Sequence, residues 1–154
     1  MRNIEIKDKS EIEEIIKSTK VCHVAVVDDN MPYVFPMNFG YENNVLYLHS
    51  APIGRKIDIM KKNNSVSISM EKDSELYFQH VDVACSYAMK FRSVILFGKI
   101  SFISENDEKI RILNIIMNHY TNKSDFKYNK PAIDNVAVMR IDIEHITARK
   151  RGYC

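Results

Sequence analysis

Hydrophobic positions along the chain change period repeatedly, and each change marks an element. Ile12, Ile15 and Ile16 fall at helical spacing. Ser10 stands before them with Glu13 three residues on, the spacing of a capping box, which predicts a helix over residues 10–18. The period then shortens to two. V-C-H-V-A-V-V (residues 21–27) is rich in β-branched residues and ends at Asp28, Asp29 and Asn30, a turn. Residues 32–41 put Tyr33, Phe35, Met37, Phe39 and Tyr41 on one face and Val34, Pro36, Asn38 and Gly40 on the other. A second turn, Glu42-Asn43-Asn44, leads into V-L-Y-L-H-S (45–50). A short helix is predicted from Ile53 to Lys62 or Asn63. S-V-S-I-S-M-E (65–71) alternates strictly, as a strand with one wet face does. Residues 72–89 carry no clean period, and Y-F-Q-H-V-D-V within them fits either an extension of that strand or a strand of its own. A long β-prone run, 91–103, contains Gly98, which predicts a bulge, a bend or a close backbone approach. Ser104 and Asn106 are candidate caps for a helix to about Tyr120, with Ile110, Leu113, Ile116 and Met117 as its buried face. A polar loop and a last strand, 136–147, complete the pattern.

Strands joined by such short turns read as antiparallel hairpins. Many strands with few helices predict a mainly β fold, a closed or nearly closed barrel with helices over its openings. The 154 residues suit one domain, residues 1–154. Net charge adds little: 22 Lys and Arg against 20 Asp and Glu leave +2, which gives no basis for a nucleic-acid partner. No stretch is long and apolar enough to cross a bilayer, and M-R-N-I-E-I-K-D lacks the apolar core of a secretion signal. Cys22, Cys85 and Cys154 have no paired spacing. The expectation is a cytoplasmic protein with no membrane partner.

The scarce prolines and glycines point to the chemistry. In Y-L-H-S-A-P-I-G-R-K (47–56), Ser50 ends a strand and can cap the helix that follows, and Pro52 suits that helix's first turn. Gly54 lets backbone approach a ligand. Arg55 offers a planar fork and Lys56 a point charge beside a helix start, where unpaired amides attract anions. These parts fit a terminal phosphate; a solvent-facing Arg-Lys pair has the same spacing. Upstream, Pro36 cannot donate to a ladder, so the strand carrying it is an edge, bulged or broken. Any of these leaves backbone N–H and C=O groups free for a flat heterocycle with donors and acceptors on its rim, and Asn38 adds a side-chain amide on the face of Pro36. A bulged edge strand without a ligand is the alternative.

P-Y-V-F-P-M-N-F-G-Y, L-Y-L-H-S-A-P-I-G-R-K and F-R-S-V-I-L-F-G-K-I, in that order, resemble the pyridoxamine-phosphate-oxidase-like FMN-binding split barrels, and among them the Nim-type nitroimidazole-resistance proteins. The resemblance runs from Val21 to Ile146. It implies a split β-barrel of Greek-key type with flanking helices, and a homodimer holding two FMN molecules between its subunits. By that resemblance Arg55 and Lys56 hold the FMN phosphate, with Ser50 and Gly54 beside it. Pro36, Met37 and Asn38 line the isoalloxazine ring, partly through backbone atoms, and Val34 and Phe35 are further cofactor-binding positions. His49 sits against the flavin as the catalytic residue, and Arg92 and Ser93 contribute flavin contacts from a strand near the interface. The chain departs from the pyridoxamine phosphate oxidases proper: it has no tryptophan, and I-T-A-R-K-R-G-Y-C does not reproduce their C-terminal pattern. Vitamin B6 oxidation is therefore not carried over. What carries over is an FMN-dependent oxidoreductase, nitroreductase- or flavin-reductase-like, acting on small nitroaromatic or quinone-like acceptors. NAD(P)H is its expected electron donor, although no dinucleotide fingerprint is present. The alternative is a non-catalytic protein of the same fold that binds flavin, haem (through a histidine such as His49) or a deazaflavin.

Other residues read more plainly. His23 alternates with valines, as a core histidine bonded to backbone would. His80, Cys85 and His119 match no zinc spacing, and no metal site is assigned. Tyr33, Phe35, Phe39, Tyr41 and Tyr47 read as barrel core or dimer interface, and Cys85 as a small buried filler.

Overall fold

A computed structural model describes all 154 residues. The elements are β1 (Asn3–Glu5), α1 (Lys9–Ser18), β2 (Cys22–Asp28), β3 (Met31–Met37), β4 (Gly40–Glu42), β5 (Val45–Ser50), α2 (Arg55–Lys62), β6 (Ser65–Tyr77), β7 (Ala88–Phe102), α3 (Asn106–Thr121), α4 (Lys130–Asp134) and β8 (Ala137–Arg151). A single 3-10 turn, Ala84–Ser86, lies between β6 and β7. All ladders are antiparallel, in the order β3-β2-β6-β7-β8-β5-β4, with β1 paired to the last residues of β8, Arg149 to Arg151, beyond the stretch that β5 covers. The two ends of that order, β3 and β4, are separated in the chain by Asn38 and Phe39 alone. A sheet whose opposite edges are tied by two residues has to curl on itself, and the seam where β3 and β4 fail to pair is the split of the barrel.

Alternation fills the interior. Val24, Phe35, Ile68 and Leu96, opposite one another on four neighbouring strands, are all at most 7% exposed. α1 contributes Ile15 and Ile16 to this core, and α2 contributes Ile57, Ile59 and Met60. Each such side chain is worth roughly 1.5–3 kcal/mol of burial, so the position of α2 is set from within the barrel. A smaller core joins α3 and α4 to the outer side of β5 and β8 through Tyr47, Ile112, Leu113, Ile116, Ile133 and Val138. Gly98 marks the bulge its sequence position predicts: pairing slips between Phe97 and Gly98, and a Cβ at Gly98 would overlap the Asp142 carbonyl oxygen.

The expected elements shift in instructive ways. The run 32–41 is two strands, because Asn38 and Phe39 leave the ladder and β4 pairs with β5 instead of β2. Asp8, not Ser10, caps α1: its carboxylate accepts from the amides of Ser10 (2.7 Å) and Glu11 (3.3 Å), and the Ser10 hydroxyl donates to it as well. β6 extends to Tyr77 through an irregularity at Asp73, whose φ is 57°. The short strand β1 and helix α4 carry too few residues to show a period. On α3, Ile112 is fully buried while Ile110 and Met117 are only partly so. The turn between β4 and β5 holds Asn43 and Asn44 at φ 51° and 62°, the left-handed pair a tight hairpin needs. No helix is long and apolar enough to cross a membrane.

Candidate functional site

α2 starts later than its sequence suggests. Its first helical residue is Arg55, and Pro52 lies in the preceding bend. Ser50 does not cap it; its hydroxyl donates to the Ala51 carbonyl at 2.8 Å. The N-cap is Gly54, at φ 131° and ψ 171°, a region open almost solely to glycine, and no side chain accepts from the first amides of the helix. The strained glycine therefore leaves the helix start bare of side-chain acceptors. Arg55 and Lys56 stand there, and neither forms an ion pair. They lean on the rings of β3: the Arg55 guanidinium lies 4.5 Å from the Tyr33 centroid, and Lys56 Nζ lies 5.7 Å from that of Phe35 and 3.8 Å from Met37 Sδ. α2 thus places two uncompensated cations against the strand that borders the split.

β3 pairs only with β2, so its other edge is free, and alternate N–H and C=O groups along it face away from any strand. Pro32 and Pro36 are tolerated for that reason. Phe35 and Met37 point into the core, so any ligand meets them through their backbone. Val34, Pro36 and Asn38 project outward and are exposed. The Asn38 side-chain amide donates to the Lys20 carbonyl at 3.3 Å. A carbonyl can only accept, which fixes the amide nitrogen on that side and leaves Asn38 Oδ1 as an acceptor with no protein partner.

His49 is the penultimate residue of β5, opposite Val138, with its side chain exposed and without a hydrogen bond to protein. Partial desolvation, with the Lys56 charge second, holds its pKa below the ordinary histidine value, so the ring is neutral at pH 7.

Arg92 and Ser93 are adjacent and therefore face opposite ways. Arg92 turns toward the α1 side, paired with Asp73 at 2.5 Å and stacked 4.1 Å from the Tyr153 ring. Ser93 faces outward in a cavity of about 420 Å3 lined by Asn3, Phe91, Ser93, Ile95, Thr147 and Arg149. Arg149 makes no ion pair, and the buried Nε of Arg151, two residues on, has no partner. The short basic tail concealed this grouping, although period-two alternation places Thr147, Arg149 and Arg151 on one face. Ser93 is three strand spacings from β3, about 14 Å of sheet. Within one chain the structure brings Ser50, Gly54, Arg55, Lys56, His49 and the β3 residues to one region, and leaves Arg92 and Ser93 apart from it.

Between these regions two rows of the outer face hold no lysine, arginine or carboxylate, and the exposed Glu71, opposite Ser93, lies just beyond them. Register places Val34, Ala25, Ser67, Phe97 and His145 in one row across five strands, and Pro36, His23, Ser69, Ile95 and Thr147 in the next. Val34 is 62% exposed, Ile95 39% and Phe97 41%. His23 belongs to this face, half-buried and with no hydrogen bond of its own, so it is not the backbone-bonded core histidine its neighbours suggest. Cys85 is likewise exposed, in the turn between β6 and β7, and fills no core.

Comparison with known proteins agrees with this architecture. The pyridoxamine 5'-phosphate oxidase family profile matches residues 8–150. A candidate 5-nitroimidazole antibiotic resistance protein of Bacteroides thetaiotaomicron is 43% identical over 97% of this chain and 87% of its own, with a TM-score of 0.87. The flavocytochrome Anf3 of Azotobacter vinelandii (20% identical, 97% of this chain, 70% of its own, TM-score 0.83) shares the fold. So does an FAD-binding protein of Mesorhizobium loti (20%, 99%, 100%, TM-score 0.71). An uncharacterised protein of Rhizobium meliloti is 28% identical over 67 residues, under half of either chain. With its profile matched nearly end to end and its barrel superimposing on a 43% identical relative, the chain belongs to the pyridoxamine 5'-phosphate oxidase family.

Proposed function

We propose that the protein binds FMN between two copies of itself and acts as an oxidoreductase on small nitroaromatic or quinone-like acceptors, with NAD(P)H as electron donor. The observation that carries this reading is the pair Arg55 and Lys56, without ion pairs at a helix start that no side chain caps, beside the unpaired edge of β3. The donor set fits the group. A doubly negative phosphate suits a guanidinium, an ammonium and free helix amides. The ring's rim of alternating donors and acceptors suits a free strand edge and the unpartnered Asn38 Oδ1. The relatives add support: one is an FAD-binding protein, one a flavocytochrome, and the 43% identical one a candidate nitroimidazole-resistance protein.

In this reading Arg55 and Lys56, with Ser50 and Gly54 beside them, hold the phosphate, and Val34 to Asn38 bear on the ring. Ser93 lies too far along the sheet to share that ring within one chain, so its contribution, with Arg149 near it, comes from a second copy docked on the outer face that carries Val34, Ile95 and Phe97. Arg92 reaches the flavin only by leaving Asp73. The bound flavin supplies hydride and electron transfer. The protein orients it, limits water at its face, and offers at His49 Nδ1 or Nε2 a neutral base beside a lysine charge.

The test pairs spectrum with turnover. Purified protein should carry a flavin spectrum, and should oxidise reduced nicotinamide in the presence of a nitroaromatic or quinone. His49→Ala should keep the flavin and lower that turnover. Flavin without turnover on any acceptor would reduce the reading to storage or sensing, and a Soret band would replace it with haem binding.

A further inference from the structure

The open end of the β2–β3 hairpin is where the last cross-strand pair, Cys22 with Met37, gives way to two diverging links. One link, Thr19, Lys20 and Val21, enters β2. The other, Asn38 and Phe39, leaves β3 and carries one of the polar side chains of the proposed flavin site. Two adjacent residues of α3 span these links. The Tyr120 hydroxyl accepts from the Phe39 amide at 3.0 Å and donates to the Lys20 carbonyl at 2.7 Å. His119 Nε2 lies 2.7 Å from the Thr19 carbonyl, so it carries the proton and donates. The same ring packs 4.5 Å from the fully buried Phe39. Gly40 lets the backbone of α3 come in close at the same place: a Cβ there would stand 3.0 Å from Ile116 Cα. The Lys20 carbonyl thus takes two donors, Tyr120 and the Asn38 amide, and the second of these turns Asn38 Oδ1 outward.

We infer that Tyr120 is a positioning residue for the flavin, acting through Lys20 and Asn38 to hold the Asn38 side-chain oxygen as an acceptor for the N–H on the ring's rim. This rests on the flavin reading above and adds to it the residue that sets the ring's hydrogen bonding. A strand with one free edge is held from one side only, and Tyr120 adds a restraint where the chain leaves the ladder after Met37. A hydroxyl that bridges two main-chain links fixes both without touching the ligand.

A double-mutant cycle tests it. FMN titration and the visible spectrum of the bound flavin are measured for the wild type, Tyr120→Phe, Asn38→Ala, the double variant and Tyr128→Phe. The last removes another single hydroxyl bond, to Asn114 Oδ1 at 3.2 Å. Tyr120→Phe and Asn38→Ala should each weaken FMN binding about tenfold and shift the flavin bands. The double variant should bind no worse than Asn38→Ala, and Tyr128→Phe should bind as the wild type does. Unchanged affinity and spectrum in Tyr120→Phe, or losses that multiply in the double variant, would overturn the proposal while leaving the flavin reading intact. A wild type that takes up no FMN would overturn the reading itself, and the proposal with it. If Tyr120→Phe fails to fold, 4-fluorophenylalanine at position 120, which nearly keeps the side-chain volume and removes the hydroxyl donor to Lys20, is read in the same assays against the same outcomes.

Discussion

Replacing Arg55 and Lys56 together by alanine should separate cofactor binding from folding. A hydrogen bond to a charged group contributes about 1.5–3 kcal/mol, so losing one from each cation removes roughly 3–6 kcal/mol, or about 10²- to 10⁴-fold in affinity. The fold has little to lose. Neither cation is in an ion pair, and their protein contacts are the rings of Tyr33 and Phe35 and the Met37 sulfur. Such exposed cation–ring contacts are worth about 0.5–1 kcal/mol each. Ile57, Ile59 and Met60, at most 2% exposed, keep α2 in place. The cost in stability is therefore at most about 2 kcal/mol, or a melting point lower by roughly 4–8 °C. The assay is fluorescence titration with FMN and riboflavin side by side. The wild type should prefer FMN strongly, and the double variant should bind both weakly and alike. A variant that kept the preference would refute the phosphate assignment. One that unfolded would refute the claim that these cations serve binding more than stability.

Gly54→Ala puts a Cβ at φ 131°, so it should destabilise by about 1–3 kcal/mol and displace the start of α2; equal stability by denaturant titration would contradict this. Burial pushes the Cys22 thiol up to about 12, whereas Cys85 and Cys154 are exposed, so a thiol reagent at pH 8 should modify two cysteines in native protein and the third only after unfolding. Desolvation holds His119 and His49 below the ordinary histidine value, so near pH 6 the unfolded chain binds more protons than the folded one. Their contribution to stability is present above about pH 6.5 and is lost as pH falls toward the folded-state values. Urea unfolding should show lower stability at pH 5.5 than at 7.5, with a smaller drop in His119→Gln; a higher stability at pH 5.5 would contradict the sign.

The barrel was legible because its strands obey a strict period. Val24, Phe35, Ile68 and Leu96 alternate with outward residues on four strands, and the turns between them carry their own signals. The phosphate candidates were legible because glycine and adjacent cations are local features. Ends of elements were not. Asp8 outcompeted Ser10 as a cap because a carboxylate accepts from two amides at once, and α2 began at Arg55 because Gly54 adopts a backbone angle no spacing reveals. Long-range pairing was also hidden. The Ser93–Thr147–Arg149 grouping depends on the register of β7 with β8, and the links from Tyr120 to Lys20 and Phe39 join residues 100 and 81 positions apart. His23 misled because its valine neighbours describe the inner face of β2, and the histidine lies on the outer one.

The visible absorption spectrum of the purified protein, recorded before and after saturation with FMN, bears most directly on the central claim. Two flavin bands, rising to one FMN per protomer and sedimenting with a dimer, are the expected result. A colourless protein that stays colourless in excess FMN would contradict it.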